Sequence, residues 1–131
     1  MKEKMPQILA AIALVAALGA SVMLVVIPVY SGTEIDPSTG QQIQTTATLI
    51  QVNGKGVLFA LSIPVVIAAA GWLAILYVRR PKVLLVWGTA FLLTAFVFVT
   101  GFSIGMFYVP AMILLMTSAI VCQFRVNSGA R

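Results

Sequence analysis

Few residues in this 131-residue chain can do covalent or acid–base chemistry. There is no histidine, one cysteine (Cys122), and three carboxylates, Glu3, Glu34 and Asp36. A nucleophile must reach its base, and metal ligands must converge on one point. So sparse an inventory assembles neither. One pair survives on spacing: Lys55 and Ser62, seven residues apart, share a helix face. Two helical turns still separate them by ~10 Å along the axis, too far for a proton transfer. Lys55 reads instead as a snorkelling side chain, with its stem on apolar surface and its ammonium in water. Cys122 lacks a partner for thiol–disulfide chemistry. The chain is expected to be no enzyme, with no cofactor and no metal.

The elements that hold these residues explain the shortage. Hydrophobic residues make up 61% of the chain and charged residues 8%, against roughly half and a quarter in soluble domains. A cytosolic globular fold and disorder are both excluded by that balance. An uncharged run extends from Ile8 to Tyr30, longer than the ~7–15 residues of a signal-peptide core. It is read as an uncleaved anchor. A second run, Val57 to Val78, stops at Arg79-Arg80-Pro81-Lys82. The third, Val83 to Cys122, would be ~60 Å long as one helix, about twice the hydrocarbon thickness. It must fold back, and Gly101-Phe102-Ser103-Ile104-Gly105 supplies the break. The expected fold is an all-α membrane protein: a four-transmembrane-helix antiparallel bundle, with spans near 8–30, 57–78, 83–100 and 106–123. Residues 1–131 then form a single integral membrane domain.

Cations set the expected orientation. With both termini in the cytoplasm, Lys2, Lys4, Arg79, Arg80, Lys82, Arg125 and Arg131 lie inside and only Lys55 outside. That is the positive-inside pattern. It also accounts for the net charge of +5 without a nucleic-acid partner. Residues 31–56 then make the outer loop. Asp36-Pro37-Ser38-Thr39-Gly40 carries turn chemistry, with Pro presetting φ, Asp capping and Gly taking the left-handed position. The flanks, Thr33–Ile35 and Gln41–Thr46, suit strands. A small extracytoplasmic β-hairpin is expected. Since an isolated hairpin is marginal in water, it should lie on the helix ends or on a partner protein. Ile43, Leu49, Ile50 and Val52 would supply the contact.

Inside the spans, Ala13, Ala17 and Ser21 form one small-residue stripe of the first helix, with Ala16 and Ala20 beside it. Such stripes let helix backbones approach closely. Ala68 to Gly71, Gly88, Thr89 and Ala95 are expected to face them, and a homo-oligomer seam is the alternative use of the stripe. Pro28, Pro64 and Pro110 fall in the outer half of the spans. With Ser62, Thr100, Ser103 and Tyr108, Pro64 and Pro110 define a candidate outward cavity, although ordinary kinks in tolerant membrane helices are the favoured account of the prolines. Tyr30 and Tyr108 outside, and Tyr77 and Trp87 inside, fit aromatic belts. No ionisable residue sits at hydrocarbon depth, which argues against gradient-coupled transport. Small four-span drug exporters need a carboxylate in the first span, and this one has none.

Two stretches, Leu49-Ile50-Gln51-Val52-Asn53-Gly54 with Gly56-Val57-Leu58, and Ser103-Ile104-Gly105-Met106-Phe107-Tyr108-Val109-Pro110, resemble segments of small four-span bacterial membrane proteins of uncharacterised function. The resemblance implies a bacterial cytoplasmic membrane and no catalytic residue. It marks Asn53-Gly54 and Gly105 as positions needing positive φ or close backbone approach. The expected function is a non-enzymatic accessory, scaffold or partner-binding subunit. The alternative is a passive channel or facilitator for a small neutral or lipid-like solute. A holin-like role is weaker, since only Arg125 and Arg131 are charged near the C-terminus.

Overall fold

An apolar chain in lipid must satisfy every backbone N–H and C=O internally, and the helix does this within one segment. The computed structural model describes residues 4–78, 82–101 and 104–129. The elements run α1 (Met5–Val26), β1 (Tyr30–Ile35), β2 (Gln42–Ala47), α2 (Leu49–Asn53), α3 (Gly56–Tyr77) and α4 (Lys82–Thr100). A 3₁₀ turn (Gly105–Tyr108) then leads into α5 (Val109–Gly129). Among the described residues, four helical stretches are long and apolar enough to cross a membrane: Met5–Val26, Gly56–Tyr77, Val83–Thr100 and Gly105–Ser128.

The first helix ends earlier than its apolar run. Ile27 is extended (φ −85°, ψ 131°) because it precedes Pro28, whose ring clashes with a helical neighbour. Pro28 therefore lies outside α1 and kinks nothing, and residues 28–30 leave the expected span. Pro64 does sit inside α3, buried, where its missing N–H leaves the Ala60 carbonyl without its usual helical donor. Pro110 occupies the first turn of α5, a position that needs no N–H donor. At its far end α5 continues to Gly129, past the expected 123. Gln123, Arg125 and Asn127 end the apolar stretch without ending the helix.

Helix α1 packs against α3 and α5, and α4 against the same two. Its buried stripe is Ala10, Ala13, Ala17, Ala20 and Leu24; α4 contributes Val86, Ala90, Leu93 and Val97. Steps of three and four alternate in both, the 3.5-residue repeat of helices that coil gently around each other. Ser21 is only half-buried at the stripe's edge. Large apolar side chains such as Phe59, Phe91 and Phe98 point outward. Thr89 meets α3 at Gly71, where an added Cβ would lie 2.9 Å from the Thr89 hydroxyl. Gly88 and Ala95 are exposed, contrary to the expectation that they face α1. With α3 and α5 as its neighbours, α4 turns its small residues elsewhere.

The fold-back falls where two glycines allow it. Gly101 follows α4, and Gly105 is buried against that helix's last turn. A Cβ on Gly105 would collide with the Val97 carbonyl and come within 2.8 Å of the Thr100 hydroxyl. Close approach, rather than positive φ, is what this glycine provides. Gly105→Ala should therefore destabilise the protein by ~1–3 kcal/mol through overpacking. Gly88→Ala, in open space, should be neutral or stabilising by up to ~1 kcal/mol. Unfolding in mixed detergent micelles measures both, and equal effects would contradict this packing.

Candidate functional site

Two features stand apart from plain helix packing: a polar node among the helices and the hairpin beyond them. The node centres on Tyr108, which is fully buried rather than in an aromatic belt as its sequence position suggested. Its hydroxyl lies 2.7 Å from Ser21 Oγ, which in turn lies 3.0 Å from the Ala17 carbonyl and 3.3 Å from that of Leu61. A serine has one proton to give. Both hydroxyls are satisfied when Tyr108 donates to Ser21 and Ser21 donates to a carbonyl. The Tyr108 ring also stands edge-on to Phe96, with centroids 5.8 Å apart and planes at 84°. One side chain thus ties α1 and α4 to the start of α5, and through Ser21 reaches α3.

A second buried hydroxyl, Ser118, donates to the Pro6 carbonyl at 2.9 Å, fastening α5 to the first turn of α1. Trp87 donates to Gln123 Oε1 at 2.9 Å. Among the described residues every buried side-chain nitrogen or oxygen has a partner. Ser118 gave no warning in the sequence, since a lone serine in an apolar run has no period of its own.

The candidate outward cavity resolves into separate placements. Ser62 is exposed, donates to the Phe59 carbonyl at 2.6 Å and lines a groove of about 360 Å³ between α1 and α3. Ser21, Leu18, Leu58 and Leu61 share that groove. Pro64 is buried in α3, and Thr100 donates back to Phe96 in its own helix at 2.7 Å. Pro110 is exposed. Ser103 lies outside the described residues. A larger groove, about 510 Å³, is lined by Val97, Phe98, Gly101, Met106, Phe107, Val109 and Met112. Among the described residues its walls carry no ionisable group.

The hairpin forms where the turn chemistry placed it, with β1 starting three residues nearer to α1 than expected and β2 shifted by one residue. Tyr30 pairs with Ala47 and Ile35 with Gln42, antiparallel. Asp36 closes the turn: its Oδ1 accepts from Ser38 N–H at 2.8 Å and Ser38 Oγ at 2.6 Å. Gly40 takes the left-handed φ of +68°. Every strand residue is exposed except Ala47, which is half-buried. The hairpin does not lie on the helix ends. Of the expected contact residues, Leu49 is buried and Ile50 half-buried, whereas Ile43 and Val52 are exposed.

A short helix unforeseen from the sequence carries the hairpin instead. Thr48 and Gln51 form a reciprocal capping box at the start of α2, and Gly54 (φ +72°) ends it. The Thr48-x-x-Gln51 spacing was the available signal. Asn53 Nδ2 of α2 reaches the Tyr30 hydroxyl at 3.4 Å, bracing the hairpin's base. No family model, curated protein or solved structure matches the chain.

Two outcomes test this geometry. Tyr108→Phe should cost about 0.6 kcal/mol, and at most ~1.7, typical of hydroxyl bonds between membrane helices. Combined with Ser21→Ala, the loss should be less than additive in micelle unfolding; full additivity would show that the two hydroxyls do not interact. At the turn, the Ser38 hydroxyl and amide bonds hold the Asp36 carboxyl below its ordinary pKa of 3.8. A lowered folded pKa stabilises the turn above the unfolded value and loses that contribution as pH falls through the folded one. The Ser38 amide resonance should therefore hold its position at neutral pH and shift only below about pH 4. A midpoint above 4 would contradict the bond.

Proposed function

We propose that this chain is a non-enzymatic integral membrane subunit, spanning the bilayer as an antiparallel four-helix bundle and acting through the hairpin outside it. The observation that carries the reading is the contrast between its two parts. The helices satisfy their buried polar groups among themselves, while twelve strand residues stand almost wholly exposed. A lid over the bundle would bury one strand face against the helix ends. A docking element leaves both faces and both edges open.

The orientation reading follows from charge. The ends of α1, α3, α4 and α5 away from the hairpin belong to the segments that hold seven of the eight cations in the sequence. They face the cytoplasm in this proposal, in the inner membrane of a bacterium, with the hairpin outside. A passive facilitator for a small neutral or lipid-like solute is the rival. It needs a polar stripe through the bundle. The buried hydroxyls Tyr108 and Ser118 bond instead to Ser21 at one end of α1 and Pro6 at the other, which favours the docking reading.

Reporter enzymes fused after Val52 and after Arg131 should show outside and cytoplasmic activity respectively. Replacing residues 31–46 with a short Gly/Ser link should leave the micelle melting temperature within a few degrees, yet convert any larger assembly in mild detergent to single chains. The intact chain in liposomes should pass no small neutral solute above the background of empty vesicles. Solute flux, together with an unchanged assembly after hairpin removal, would overturn the proposal.

A further inference from the structure

The hairpin's free edges have a definite hydrogen-bonding register. The Asp36 amide donates to the Gln41 carbonyl at 3.0 Å, so this pair is hydrogen-bonded, and antiparallel pairs alternate. Gln42, Gln44 and Thr46 therefore face β1 in the non-bonded positions opposite Ile35, Thr33 and Ser31. Their own N–H and C=O groups point away from β1. The result is three donors and three acceptors in a row on the outer edge of β2.

Natural edges of this kind are blunted by charge, proline, a bulge or a cover. Strand β1 carries Glu34 and Gly32. Strand β2, Gln42–Ala47, carries no charge, no proline and no glycine, and its side chains are uncovered. A two-stranded hairpin is marginal alone, and three or more strands are needed for independent stability. The edge of β2 is thus built to be extended.

We infer that a second copy of this chain extends it, β2 against β2, into a four-stranded antiparallel sheet with Gln44 on the two-fold axis. This deepens the docking role proposed above and rests on it. The edge is complementary to itself: Gln44 opposes Gln44 of the other copy, and Gln42 opposes Thr46 twice. Those three pairs exchange six backbone hydrogen bonds and leave none of the three exposed donors unused. Charge agrees with this pairing. Antiparallel copies keep the acidic tips, Glu34 and Asp36, at opposite ends of the sheet, and each tip points toward the other copy's hairpin base, the end that leads to Lys55. The two-fold stands perpendicular to the sheet, so for copies inserted the same way the sheet lies along the membrane surface. Shared insertion also holds every hairpin at one height, which raises the effective concentration of edge for edge.

Cysteine cross-linking of the full chain in the membranes of the cells that produce it tests the register, in a Cys122→Ala background with a short bis-maleimide. Directly opposed residues of a hydrogen-bonded pair lie about 5.5 Å apart. Gln44→Cys should cross-link to itself. Gln42→Cys and Thr46→Cys should each do so poorly alone and efficiently when mixed. Thr33→Cys, on the β1 edge, should give only background. Adding Gln44→Pro to the Gln42/Thr46 mixture should lower its yield at least about tenfold. It removes two inter-chain bonds and none to β1, since the residue 44 amide faces outward. Equal cross-linking at positions 33 and 44 would overturn the inference, as would a proline variant that pairs normally. If Gln44→Cys joined a different membrane protein, self-pairing would fall and the docking role would stand. If it joined nothing while the chain remained inserted, both would fall.

Discussion

The whole arrangement depends on how closely helix backbones can approach when the hydrophobic effect does not choose between their faces. Along most of each long helix the side chains are apolar on every side, so for a chain in a bilayer burial in lipid and burial in protein are nearly equivalent. On α1 size does most of the sorting. Alanines at 10, 13, 17 and 20 turn inward on α1, while Val15, Phe59, Phe91 and Phe98 turn outward. Short side chains bring more atoms within dispersion range across the seam, and the gain is collective. Gly71 and Gly105 mark the closest of these approaches, and at each an added methyl group would meet an atom already in place.

Alanine seams hold helices together but say little about register, because one alanine step resembles the next. The buried hydroxyls supply that information. Tyr108 with Ser21, and Ser118 with the Pro6 carbonyl, pin α5 to α1 near both ends of the first helix. In a low-dielectric interior an unmade hydrogen bond is costly. A slip by one turn would orphan both hydroxyls. Polarity is used here for alignment, and the rest of the interior stays apolar.

On that frame the hairpin is a different kind of structure. Its strands pair with each other, its turn is tied by Asp36 and Ser38, and its base is braced by Asn53 and Tyr30. Thr48 and Gln51 cap the short helix that joins it to α3, so the connection is ordered although the strands are open. A braced base with uncovered strands presents its edge in a fixed direction, which lowers the ordering cost of any strand that adds to it.

Much of this was legible in the residues because it depends on local chemistry. Four apolar stretches, the Pro-Ser-Thr-Gly turn, the strand-forming flanks and the need for glycine at 54 and 105 all follow from neighbours within a few positions. The Thr48-x-x-Gln51 cap is equally local. The early end of α1 at Ile27 was also written in the sequence, by Pro28, and hydropathy masked it. What only the tertiary structure decided is which faces meet. Tyr108 lies at the centre rather than at a membrane surface, α4 turns Gly88 and Ala95 outward, and the hairpin stands clear of the helix ends. A uniformly apolar helix carries no moment to point it, so the partner of each face is settled by contact alone, between residues 12 to 112 positions apart.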